Sequence, residues 1–86
     1  MSFMNDYSDH IVSTPGILAG KPRVKGTRIP VQQVLQCLSE GWSMKKIIDQ
    51  FPSLSKEDIQ ACVAYANEVM DNFKIVDFPR TRVKYA

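Results

Sequence analysis

The sequence predicts a small, mainly α fold: three helices in a trihelical helix-turn-helix arrangement, with a small β-hairpin or strand region on the N-terminal side. Three features carry that expectation. Pro15, Gly16, Gly20, Pro22, Gly26 and Pro30 crowd a stretch in which no helix survives so many breakers. From Val31 onward the apolar residues recur with a helical period. The periodic segments are joined by two tight connections, the second a proline-containing turn between a short helix and a long one, as in helix-turn-helix modules.

In chain order, residues 1–8 read as a flexible N-terminus and residues 9–30 as an extended β arm, with His10 to Val12 and Arg23 to Ile29 as short strands around turns. Val31, Val34, Leu35 and Leu38 form the stripe of a first helix that lacks a polar cap and that Gly41 ends. Ser43 caps a second helix, with Trp42 and Ile47 placed as a hydrophobic staple; Met44, Ile47, Ile48 and Phe51 are its buried stripe, and Pro52 stops it. The device repeats with Leu54, Ser55 and Ile59, and Asp58 takes the capping-box position. Ile59, Cys62, Val63, Ala66, Val69 or Met70, and Phe73 then make one apolar face of a third helix, with Gln60, Ala64, Asn67, Glu68 and Asp71 outward. Residues 9–73 thus form a single domain, with the helices in 31–73, and 74–86 form a basic C-terminal tail.

Eighty-six residues allow one domain with a modest core, because a chain of this size buries only about 60% of its unfolded surface. The net charge of +2 conceals a strong pattern. Residues 1–20 carry −2, residues 21–28 carry +4, residues 29–73 carry −3 and residues 74–86 carry +3. An acidic middle between two basic arms steers a charged partner more than the total does. No apolar run approaches a membrane span and the N-terminus is acidic, so the expectation is a soluble, cytoplasmic protein with neither signal peptide nor anchor. Cys37 and Cys62, with no Cys-x-x-Cys pair and only His10 as an imidazole, read as reduced, partly buried thiols.

Enzyme chemistry finds little support, and neither a cofactor nor a metal is expected. Gly16-x-x-x-Gly20-Lys21 is one residue short of a phosphate-binding loop, and Pro22 stands where a magnesium-binding hydroxyl belongs. The only histidine, His10, lies near the polar N-terminus and reads as a strand surface residue, neither cysteine is flanked by cations, and Glu57 and Asp58 are helix neighbours whose side chains diverge by about 100°. Binding is better supported. Lys21, Arg23, Lys25 and Arg28 fall within eight residues, and together with Lys56 and Gln60 of the third helix they are the candidate contacts to nucleic-acid phosphates and bases. Two other readings stand beside this one: a dimer-forming hairpin with solvated charges, or an Arg28 paired with a helix acid. The first turn of the third helix, Lys56-Glu57-Asp58, also offers phosphate the wrong sign. A non-enzymatic adaptor docking a protein through Gln60, Ala64, Tyr65 and Glu68 is therefore the rival. Gly26 and Thr27 are assigned to turn geometry, Trp42 to the staple and Tyr65 to the border of the apolar face, rather than to base stacking.

The run Pro15-Gly16-Ile17-Leu18-x-Gly20-Lys21-Pro22-x-Val24-Lys25-Gly26-Thr27-Arg28-Ile29-Pro30-Val31, followed by Gly41-Trp42-Ser43, Phe51-Pro52-Ser53-Leu54-Ser55-Lys56-Glu57-Asp58-Ile59 and Ala64-Tyr65-Ala66, strongly resembles the domain-of-unknown-function family 433 over roughly residues 9–68. The resemblance implies a homeodomain-like helical domain with an N-terminal strand region, usually dimeric. Its bacterial members are often regarded as antitoxins paired with PIN-like ribonuclease toxins. The family motif carries over onto Gly20, Lys21, Pro22, Lys25, Gly26, Thr27, Arg28, Ile29 and Pro30 without departure.

The tail lies outside that motif. In Phe78-Pro79-Arg80-Thr81-Arg82-Val83-Lys84-Tyr85 the cations alternate with packable residues, which is strand periodicity. Arg80, Arg82, Lys84 and Tyr85 are therefore candidate contacts to the partner, with Arg80 or Arg82 entering the carboxylate-lined site of a PIN-like nuclease; the competing reading is a frayed, solvated terminus. The whole reading is an antitoxin-like homodimer that binds a toxin protein and, as a second partner, double-stranded operator DNA.

Overall fold

A computed structural model describes residues 7–72 of the chain. Phe73 and the tail contacts Arg80, Arg82, Lys84 and Tyr85 lie outside the described residues. The elements run β1 (Ile11–Val12), a 3-10 turn (Leu18–Gly20), β2 (Arg23–Val24), α1 (Val31–Ser39), α2 (Met44–Gln50) and α3 (Lys56–Asp71). The strands pair antiparallel in register Ile11 with Val24 and Val12 with Arg23. Three helices with this small sheet are the architecture the breakers and periods predict.

The N-terminal third is more folded than an extended arm. Arg23 to Ile29 is not one strand: the strand stops at Val24 because Gly26 takes φ +83° and the chain reverses. The Thr27 N–H then donates to the Val24 carbonyl at 3.0 Å and the Val24 N–H to the Ile29 carbonyl at 2.9 Å, which brings Pro30 back to bridge Arg23. Before it, Leu18 and Ala19 sit at φ +53° and +55°, a left-handed pair that nothing in their residue types announces. Tyr7 belongs to the fold as well, its carbonyl accepting from the N–H groups of His10 and Ile11 and its ring packing against the core.

The helix ends follow their predicted signals. Pro30 precedes α1 without a side-chain cap. At the other end Gly41, at φ +89°, donates to the Leu38 carbonyl at 3.0 Å while Trp42 donates to the Cys37 carbonyl at 3.1 Å, the paired bonds of a Schellman motif. The Ser43 hydroxyl accepts from the Lys46 N–H. On α3 the capping box is complete: the Asp58 N–H donates to Ser55 Oγ at 3.1 Å and the Ser55 N–H to Asp58 Oδ2 at 3.0 Å.

Every element contributes to one core. Val24, Val34, Ile47, Ile59 and Cys62 are fully enclosed, joined by Ile11, Val31, Cys37, Leu54 and Ala61. The expected face of α3 is buried only in its first half. Within that first half Val63 is 46% exposed and Ala61, outside the expected face, is buried instead; in the second half Val69 and Met70 are 41% and 66% exposed. The cause is length: α3 has 16 residues against nine in α1 and seven in α2, so its C-terminal half runs past the helices it packs on. Both cysteines are buried and unpaired in disulfides.

Candidate functional site

The basic motif folds into a locked turn that sorts its four cations. Thr27 Oγ1 donates to the Val24 carbonyl at 2.8 Å and accepts from the Ile29 N–H at 3.0 Å, so the threonine closes the loop from inside while Gly26 supplies the positive φ. Arg23 is spent on the same loop. Its guanidinium donates to the Thr27 carbonyl at 2.9 Å and to Thr14 Oγ1 at 3.1 Å, and its Nε is buried without a hydrogen-bond partner. Lys21, Lys25 and Arg28 remain exposed, and none of them pairs with a carboxylate among the described residues. That removes the reading in which Arg28 pairs with a described helix acid.

A chain of two hydrogen bonds carries this turn to the start of α3. The Lys25 N–H donates to the His10 carbonyl at 2.7 Å, and His10 Nδ1 lies 2.9 Å from Asp58 Oδ1. Lys25 and Arg28 on the turn and Lys56 and Gln60 on α3 are all exposed, and Lys21 lines a groove together with the C-terminal half of α3. His10 is a partly buried tie between strand and helix rather than a surface strand residue. Burial raises the Asp58 pKa, but hydrogen bonds from His10 and Ser55, with the charge of His10, outweigh it and hold the carboxyl below its ordinary 3.8. Asp58 thus stays ionised, and Glu57 is the more exposed carboxylate of the first turn, so both acids keep the sign that phosphate disfavours.

The outer face assigned to the adaptor reading divides. Gln60 and Glu68 are exposed, Ala64 is half-buried, and Tyr65 turns inward, its ring meeting that of Tyr7 edge to face at 5.2 Å and 88°. Trp42 is equally occupied, packed against the core with Lys46 Nζ 4.3 Å from its ring centroid. Neither ring is open to a stacking base.

Beside the overhang of α3 lies a feature that periodicity alone does not reveal. Pro22, Pro30, Val31 and Leu35 on one side and Tyr65, Ala66, Val69 and Met70 on the other enclose an apolar groove of about 350 Å³, with Lys21 and Gln32 at its edge. The amphipathic pattern marks Val69 and Met70 as apolar, but not that they stay exposed at the wall of a groove.

For chemistry the described residues offer little. They contain no group of three His, Cys, Asp or Glu side chains placed to hold a metal ion. Burial, with the Asp58 carboxylate nearby, pushes the Cys62 thiol up to about 12, which leaves it a poor nucleophile. Among the described residues no helix is long and apolar enough to cross a membrane.

Comparison with known proteins agrees with the motif. A family model described as "Protein of unknown function (DUF433)" matches residues 11–66, so the chain belongs to that family. It is 39% identical over 56 residues to the uncharacterized protein y4eO of Sinorhizobium fredii; the match takes in 65% of this chain but 25% of that protein, so the chain spans about a quarter of its relative. A crystal structure of a DUF433 member from Anabaena variabilis superposes with a TM-score of 0.69 at 27% identity, covering 81% of this chain and 69% of that one.

Proposed function

We propose that this member of the DUF433 family is an antitoxin-like, non-enzymatic regulator that binds a PIN-like ribonuclease toxin and, as a homodimer, the phosphates of operator DNA. One observation supports the DNA half above the others: a turn locked by Thr27 leaves Lys25 and Arg28 exposed and is tied through His10 to Asp58 of α3, the helix that carries the exposed Lys56 and Gln60. Arg23 takes no direct part; it holds the loop that displays its neighbours. The toxin half rests on the family resemblance and on the basic tail, with Arg80, Arg82, Lys84 and Tyr85 as its contacts.

Titration of a labelled duplex tests the DNA half. Four phosphate contacts per protomer, by Lys21, Lys25, Arg28 and Lys56, make eight in the homodimer and predict an affinity loss on the order of ten-thousandfold between 50 and 200 mM salt, because each contact releases condensed counterions. A salt-insensitive titration, or no binding to any duplex, removes DNA from the proposal. Co-expression with the adjacent open reading frame tests the toxin half: growth arrest relieved by a co-purifying complex is the expected result, and absence of both arrest and complex overturns it. The apolar groove favours a second reading, a protein-interaction adaptor without nucleic acid.

A further inference from the structure

We infer that the groove between α1 and the overhanging half of α3 is the two-fold interface of the homodimer, filled by α3 of a second copy running antiparallel. The inference rests on the homodimer of the proposed function, and on neither its toxin nor its DNA. The first argument is that a ridge and a groove adjoin on one surface. Val63, Ala66 and Met70 stand at the i, i+3 and i+7 positions of α3, the spacing of a helix-packing seam. Val63 and Met70 are 46% and 66% exposed, and Ala66 and Met70 also belong to the wall of the groove. An isologous contact requires one patch to be its own complement. Here each copy offers a ridge that fills its partner's groove and a groove that receives its partner's ridge, which removes both apolar surfaces from water.

The second argument is charge. Lys21, at the edge, is the one charged residue lining the groove, and no carboxylate lines it. Gln60 and Asn67 flank the ridge on α3, whereas Asp71, Glu57 and Glu68 lie about 100°, 140° and 160° round the helix from Met70. Lys56 shares the flank of Gln60 but starts the helix, about 21 Å of rise from Met70. Two α3 helices therefore meet along this seam without carboxylates face to face, and antiparallel helices also set their dipoles in opposition. A basic peptide would find no carboxylate on these walls, and a polyanion only the one cation at the edge.

The third argument is fit. Ala66 is the smallest side chain of the seam, and a small contact residue lets two helix axes approach closely. A two-fold axis beside Ala66 places Val63 of one copy opposite Met70 of the other. Met70 is unbranched and flexible, which suits it to fill an irregular groove. Lys25, Arg28, Lys56 and Gln60 are not among the lining residues, so the pairing does not use them.

Equilibrium sedimentation of the full chain tests this. The unmodified protein is expected at twice the 9.8 kDa mass of one chain. Met70→Lys and Val63→Glu each set a charge in an apolar contact, and each is expected to weaken the dimer by about a hundredfold or more. Both positions are exposed, so unchanged far-UV circular dichroism is expected alongside that loss. An equal mixture of the two variants is expected to recover the dimer, because the antiparallel axis pairs the introduced charges at one contact and keeps the original apolar contact at the other. Single chains at every concentration would remove the homodimer and this interface together. A dimer that survives both single substitutions would keep the homodimer and overturn this face as its interface. Failure of the mixture to dimerise would overturn the antiparallel pairing.

Discussion

Gly41 is the residue whose role is clearest from chemistry alone. Its φ of +89° closes α1, and an added Cβ would meet nothing within 4 Å, so any cost of substitution is backbone conformation and not a clash. Gly41→Ala is therefore expected to destabilise by about 1 kcal/mol, read as a lower midpoint in urea at unchanged slope. Ala19 is the converse case: exposed at φ +55°, it is expected to gain about 0.5–1 kcal/mol on replacement by glycine, measured in the same titration. Asp58 sets the acid limb of stability. Its folded carboxyl holds a proton less tightly than the unfolded one, so the unfolded chain takes up more protons in acid. The stability it contributes is complete well above pH 3.8 and is lost as the pH falls through and below that value. The stability gap between this protein and Asp58→Ala is expected to narrow from pH 6 to pH 3; a constant gap would count against the assignment. Of these residues, Gly41 and Asp58 were legible from position, as a helix-ending glycine and a capping-box acid. The Asp58 tie to His10 was not, because the two are 48 residues apart and only folding joins them.

Among the elements, the helix starts were readable because caps are local chemistry: a hydroxyl satisfies an N–H three residues on, whatever the rest of the chain does. Ser55→Ala removes one bond of the complete capping box and is expected to cost about 1 kcal/mol, checked by thermal melting of the variant. The β region was legible as breakers and short strands, but not as a locked turn. Thr27 bonding both Val24 and Ile29, and Arg23 bridging Thr14 to Thr27, are contacts made by the reversal itself, so a reading of Arg23 to Ile29 as one strand misses them. The face of α3 shows the same limit. Its period is helical and apolar throughout, yet periodicity cannot tell a buried stripe from an overhanging one.

At the scale of the whole molecule, the core joins strands and helices through the fully enclosed Val24, Val34, Ile47, Ile59 and Cys62. Ile59→Ala is expected to cost about 2–5 kcal/mol, since it opens a cavity where the helices meet and the surroundings relax only in part; denaturant unfolding measures it. A loss that large is a sizeable share of the stability of a domain of this size, so the variant tests how much the small core must carry. The division of labour between sequence and fold follows from the range of the interactions. Local physics, in the form of breakers, helical period, caps and a terminating glycine, determined the number, order and type of the elements and marked the basic motif by composition. Tertiary structure alone decided which cations of the basic motif are exposed and which is a strut, that His10 and Asp58 meet, and that, among the described residues, Val69 and Met70 of α3 border an apolar groove. Those outcomes depend on relative helix length and on contacts between distant residues, and a side chain's identity does not encode what it will find opposite it.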